Sequence, residues 1–238
     1  MRKFLVLLTF LCVLLAGCTV KQDISIKSGR DGDVFIDLEL DPVFVRYIND
    51  VSETTGTSAA EGIFNTQEIY DGLSGFDAVD PVSVITPEPS RLTMIMKVDD
   101  YSNVLPDRYV PVIRIAESGS VRTVYFHLGT DNYGAVDKVF GISSNPVLAG
   151  LAPQSENPYS ESEYISMLDY VFSDYFENNA TADSILKNSF VQLNIRTDGK
   201  ILESDMGEIS GNNLKVRIPM IKFATLKQPV EFSFKYSF

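Results

Sequence analysis

Seven consecutive residues, Val34-Phe35-Ile36-Asp37-Leu38-Glu39-Leu40, constrain this chain more than any other stretch. Val34, Ile36, Leu38 and Leu40 fall on one face, and Phe35, Asp37 and Glu39 on the other. That period of two predicts a strand with one buried and one wet face, which belongs in an antiparallel sheet. Asp41-Pro42 follows at once and predicts a helix start, with Asp as cap and Pro at the first helical position. Val43, Phe44, Tyr47, Ile48 and Val51 then recur at helical spacing. The apolar fraction of 45% suffices for a packed core.

The same two signals recur along the chain. Asp23 to Lys27 alternates, and Ser28 to Asp33 predicts a hairpin turn. Ser52 to Ser58 interrupts the first helix, and Ala59 to Leu73 predicts a second. Val82 to Thr86 and Leu92 to Val98 read as strands, with Thr86-Pro87-Glu88-Pro89-Ser90 expected to stop either ladder. Val121 to Leu128 is a further strand and Tyr109 to Ala116 a weaker one. Ala135 to Leu151 suits either a helix or a mixed segment, and Asn157-Pro158 marks a boundary. Ser160 to Asn178 predicts a long helix opened by the capping box Ser160-x-x-Glu163. Strands are expected at Ser189–Thr197, Leu214–Ile218 and Gln228–Phe238, with turns at Asp198-Gly199 and at Gly211 to Asn213. The expectation is an α+β fold: an antiparallel sheet with inserted helices, as a single domain.

The chain opens differently. Arg2 and Lys3 precede the apolar run Phe4 to Leu15, and the small residues Ala16 and Gly17 follow. This is the pattern of an export signal, and the run is shorter than the roughly 20 residues that span a bilayer. Leu15-Ala16-Gly17-Cys18 resembles the lipobox of bacterial lipoproteins. The resemblance implies cleavage before Cys18 and attachment of diacylglycerol to its thiol, which makes Cys18 the lipid-attachment residue. The alternative is an ordinary signal peptide with a chance cysteine. Residues 1–17 are then the cleaved signal, and 18–238 the mature envelope domain. Cys12 leaves with the signal and Cys18 is consumed by lipid, so the mature chain keeps no thiol for disulfides or catalysis. Loss of Arg2 and Lys3 takes the net charge from −12 to −14. An acidic body is repelled by anionic headgroups, so attachment rests on the acyl chains. Thr19, where an Asp would mark inner-membrane retention in enterobacterial lipoproteins, favours the outer membrane or surface. The expected location is the cell membrane or outer membrane, lipid-anchored, facing the periplasm or cell exterior.

Both ends of the mature chain also look like the LppM-type group of bacterial lipoproteins. The residues that carry the likeness are the early hairpin, strand and Asp-Pro helix start, then Phe190 to Ile195 and Gly207 to Val216. The chain departs from the group in having no Trp near the last hairpin, and Arg196-Thr197 where the group has Pro-Gly. The likeness implies a non-enzymatic envelope protein with an α/β fold that holds lipid, and it transfers no functional residue.

Chemical signatures are sparse. There is one histidine, His127, inside an apolar strand, where a structural role is the expectation. The sequence contains no Gly-x-Ser-x-Gly, no His-Glu-x-x-His, no Gly-x-Gly-x-x-Gly and no P-loop. Asp31, Asp33, Asp37, Glu39 and Asp41 do not match a calcium loop, and a solvated face explains them. Asp99-Asp100 reads as a strand exit, and Asn179-Ala180-Thr181 as an idle sequon. No metal and no cofactor are expected. The acidic balance, 32 acidic against 20 basic residues, argues against a nucleic-acid partner. The candidate ligand-binding residues are Tyr164, Leu168, Phe172, Tyr175 and Phe176 of the aromatic helix, as the lid of an apolar cleft. Simple packing of that helix on the sheet is the competing explanation. The expected function is a membrane-anchored, non-catalytic lipoprotein that binds a lipid or another apolar ligand. The alternative is a structural or surface-interaction lipoprotein, an assembly partner or host-facing antigen. The expected partners are the membrane through Cys18, that ligand, and an envelope protein.

Overall fold

The computed structural model describes residues 18–55, 63–76, 78–101, 110–140, 149–154 and 156–238. The leader, the start of the expected second helix, Tyr109 and most of the segment after Phe140 lie outside these residues.

Alternation in the first fifty residues produces a hairpin. β1 (Cys18–Ile26) pairs antiparallel with β2 (Gly32–Leu40), Cys18 facing Leu40 and Ile24 facing Val34. The turn closes through Lys27 N to Asp31 O at 2.8 Å, with Arg30 at φ 69°. Gly32 cannot be replaced there, because a Cβ would lie 1.7 Å from the Ser25 carbonyl oxygen. β4 (Arg91–Val98) pairs with the far side of β2, and β3 (Val79–Glu88) forms the edge.

On its other side β1 runs parallel to β7 (Phe190–Thr197), from Thr19 beside Phe190 to Ile26 beside Thr197. β10 (Asn213–Pro219) and β9 (Glu208–Ser210) complete a seven-stranded sheet of order β3-β4-β2-β1-β7-β10-β9. A second sheet has the order β5-β6-β11-β8, built from β5 (Ile113–Ser118), β6 (Val121–Leu128), β11 (Val230–Ser237) and β8 (Ile201–Ser204).

Six α-helices occur among the described residues: α1 (Pro42–Thr55), α2 (Thr66–Ser74), α3 (Thr130–Phe140), α4 (Glu161–Val171), α5 (Ala182–Asn188) and α6 (Met220–Thr225). One apolar cluster joins the inner faces of both sheets to these helices, with Ile36, Leu38, Met94, Val191 and Val216 at its centre. The outer face of the large sheet is open, carrying Lys21, Asp23, Lys97, Lys215 and Arg217.

The α+β class is the one the sequence predicts. Local predictions hold where side chains dictate them. The Asp41 carboxylate accepts the Val43 N–H at 2.9 Å. The Ser160 box forms in both directions: Glu163 N–H donates to the Ser160 hydroxyl, and Ser160 N–H donates to the Glu163 carboxylate at 2.7 Å.

Four expectations need correction. The aromatic helix stops at Val171, a 3-10 turn covers Ser173–Tyr175, and Asn178 and Asn179 take positive φ. The second helix begins at Thr66, where Asn65 supplies the cap. The prolines at 87 and 89 do not stop the β3 ladder short of Glu88. β3 is an edge strand, so Pro removes no needed donor, and register shifts absorb the misfit. The sheet is not wholly antiparallel, because β1 and β7 lie far apart in sequence and meet side by side in one direction.

Candidate functional site

Three places bear on function: the first residue of β1, the helix that covers it, and a groove on the second sheet.

Cys18 opens β1 and is 1% exposed. Its register partner Leu40 is buried as well, so the thiol points to the inner side of the sheet. Tyr164 on α4 lies over this end. Burial, then the nearby Cys18, Tyr133 and Tyr159, hold the Tyr164 hydroxyl far above its ordinary pKa. That hydroxyl donates to the Leu151 carbonyl oxygen at 2.9 Å, which satisfies it in the core.

The aromatic residues divide. Tyr164 and Leu168 face the core from α4, and Phe172 faces it from the helix end. Phe172 packs on two rings of α1, Phe44 at 4.7 Å and Tyr47 edge-on at 4.9 Å. Tyr175 meets Tyr47 edge-on at 5.7 Å. Its hydroxyl donates to Asp50 at 2.5 Å, and this bond to a carboxylate, helped by partial burial, pushes its pKa up to about 12. Phe176 is half-buried against the core. Arg46 ties the far side, donating to the Tyr175 carbonyl at 2.7 Å and pairing with Glu177 at 3.3 Å. Of the five candidates, Phe172 and Tyr175 meet α1, whereas Tyr164 packs beside Tyr159 and Leu151 near Cys18. The sequence signal for α1 was the spacing of Phe44 and Tyr47, one turn apart.

A groove on the second sheet has no local signal in the sequence. It holds about 710 Å³ and lies on the outer face of the second sheet. Cross-strand register gathers its polar residues: Arg114 and Ser233 flank Tyr125, and Glu231 faces His127. The Arg114 guanidinium stacks over the Tyr125 ring at 4.1 Å. The Asp205 carboxylate accepts both the N–H and the hydroxyl of Ser233 at 2.8 Å. His127 sits between two carboxylates, with Nδ1 2.6 Å from Glu231 and Nε2 3.0 Å from Asp131. Burial works against its charge, but hydrogen bonds and attraction from Glu231 and Asp131 outweigh it and raise its pKa. With both ring nitrogens engaged, His127 acts as a clasp joining β6, β11 and α3. The two carboxylates lie at opposite nitrogens, so they do not converge on one point. Among the described residues no group of three His, Cys, Asp or Glu side chains could hold a metal ion.

Met94 and Met96 point inward, while Ile95 faces solvent opposite Phe35. No helix among the described residues is long and apolar enough to cross a membrane.

No protein-family model and no curated protein matches the chain. Among solved structures, the NMR structure of the folded domain of LppM from Mycobacterium tuberculosis is similar. It aligns over 93% of this chain and 90% of its own, at 8% identity and a TM-score of 0.39.

Proposed function

We propose that this protein is a lipoprotein of a bacterial envelope, anchored by lipid on Cys18, with a non-catalytic body that binds a lipid or another apolar ligand. One observation carries the anchor. The residue that Leu15-Ala16-Gly17 marks as the first of the mature chain is already part of the hairpin, paired with Leu40 of β2. No tether separates the two, so the body sits against the membrane surface. Two or three acyl chains hold firmly where one holds only marginally.

The α1–α4 seam supports the ligand reading. The buried rings of Tyr164 and Phe172 continue outward through the half-buried Tyr47, Tyr175 and Phe176. Aromatic rings offer large area at low entropic cost, and an acyl chain would enter here by parting Tyr47 from Tyr175. The test is solvent extraction of the full-length protein purified from envelopes, followed by mass spectrometry. A co-purifying lipid near one per protein is expected, falling severalfold in Tyr175→Ala. Absence of any lipid would remove the ligand reading and leave the anchor untouched.

One observation favours the surface-interaction alternative. Phe35 and Ile95 are register partners on the open sheet face, 36% and 42% exposed, with Val82 and Ile85 exposed on the neighbouring edge strand. Exposed apolar residues on one sheet face suit a protein partner. Phe35→Ser with Ile95→Ser would then abolish partner capture while leaving lipid content unchanged.

A further inference from the structure

The groove on the outer face of the second sheet carries opposite charge at its two ends, and strand register sets their spacing. Arg114 on β5 faces Tyr125 on β6, and Tyr125 faces Ser233 on β11. The Cα atoms of Arg114 and Ser233 are therefore two antiparallel steps apart, about 10 Å. At the β5 end the Arg114 guanidinium is held over the Tyr125 ring, 4.1 Å from its centre. Among the described residues no carboxylate pairs with it. A guanidinium fixed against a ring keeps its fork of N–H donors for a carboxylate, which it binds through two hydrogen bonds.

The β11 end is negative. Asp205, just past β8, takes the Ser233 N–H on one oxygen and the Ser233 hydroxyl on the other, both at 2.8 Å. Each oxygen keeps a lone pair for a further donor. Glu231 shares the outer face with Ser233, two residues along the strand. It gives Oε1 to His127 and leaves Oε2 for a donor. Val110 and Pro111 form an apolar wall beside these groups.

A ligand that satisfies both ends carries a carboxylate and an ammonium group well separated. A free amino acid is too short, since both groups sit on one carbon. Three residues of extended chain span about 10 Å. The groove volume of about 710 Å³ accommodates them. We infer that this groove binds a short peptide with both termini free, its carboxylate on Arg114 and its ammonium group between Asp205 and Glu231. The site is separate from the anchor and from the aromatic seam, and its loss would leave both unchanged.

The test is a saturation-transfer difference NMR titration of the full-length protein purified from envelopes, with trialanine as the probe. N-acetyl-trialanine, trialanine amide and free alanine are titrated alongside. The expected result is saturable binding of trialanine, with each of the other three at least fivefold weaker. Arg114→Gln should weaken trialanine to the level of its amide and leave the amide unchanged. Asp205→Asn with Glu231→Gln should erase the difference between the free and the acetylated peptide. The capped series needs only the unmutated chain, so it decides the matter even where a variant fails to fold. Absence of saturable binding, or equal binding of the free and capped peptides, would overturn the inference. Equal weakening of acid and amide in Arg114→Gln would overturn it too.

Discussion

The α1–α4 seam and the junction around Arg122 both tie an outer layer to the large sheet, by opposite chemistry. In the seam, Phe44, Tyr47, Phe172 and Tyr175 pack tilted or edge-on at 4.7 to 5.7 Å. In the junction, the Arg122 side chain is only 7% exposed. Its Nε donates to Glu117 at 2.9 Å and a terminal nitrogen donates to the Ser28 carbonyl at 2.6 Å. Glu117 also accepts from Arg30, and the Phe238 ring lies 3.9 Å from the Arg122 guanidinium. The hairpin turn of the large sheet is thereby clamped to the second sheet. At Phe44 and Phe172 the seam depends on buried area, which is non-directional and independent of pH. The junction depends on every donor finding its acceptor, so it fails abruptly and responds to protonation.

Substitutions should separate the two. Phe172→Ala should cost about 3–5 kcal/mol, the largest loss, with no change in the shape of the stability–pH curve. Denaturant titration across pH would show it. Arg122→Met should cost about 3 kcal/mol, because the Ser28 carbonyl and part of Glu117 lose their donor. A loss below that of Tyr164→Phe would mean that the clamp adds little. Tyr164→Phe should cost about 1 kcal/mol, since one buried hydrogen bond to the Leu151 carbonyl disappears and packing stays.

The pH responses are smaller and opposite in sign. Glu117 has a folded pKa held low, first by the Arg30 hydrogen bond and then by Arg122, against some burial. Its contribution is present above the ordinary carboxylate value and is lost as pH falls through the lowered one. Arg122→Met should shrink that acid limb. His127 has a folded pKa raised above its ordinary 6.5. Its contribution is complete below 6.5 and fades as pH rises through the raised value, and His127→Gln should flatten only that limb. A limb unchanged in His127→Gln would show that the clasp does not stabilise the fold.

Legibility in the sequence follows the same division. The seam is legible because helical spacing reveals an apolar stripe, although spacing alone does not say which helix meets it. Spacing alone overstates the aromatic helix, since Ser173 to Asn178 keeps its aromatic spacing after the backbone has left the α conformation. The junction could not be read. Arg122 occupies an inward position of an alternating strand; Glu117 faces it across the hairpin, but the Ser28 carbonyl that takes its other donor is brought over only by the tertiary fold. The groove was hidden for a related reason. Its residues come from β5, β6, β8–β9 and β11, and cross-strand register that assembles them is absent from any local window. Cys18 shows a further gap: the motif before it predicts an exposed anchor, while its place in β1 predicts a core residue, and only the structure sets the two side by side.

Intact mass of the protein purified from a bacterial envelope tests the central claim most directly. The account predicts a chain that starts at residue 18 and is heavier than its peptide by a diacylglyceryl group, mapped to the first residue. A chain that still carries residues 1–17, or one that starts at residue 18 with an unmodified thiol, would contradict it.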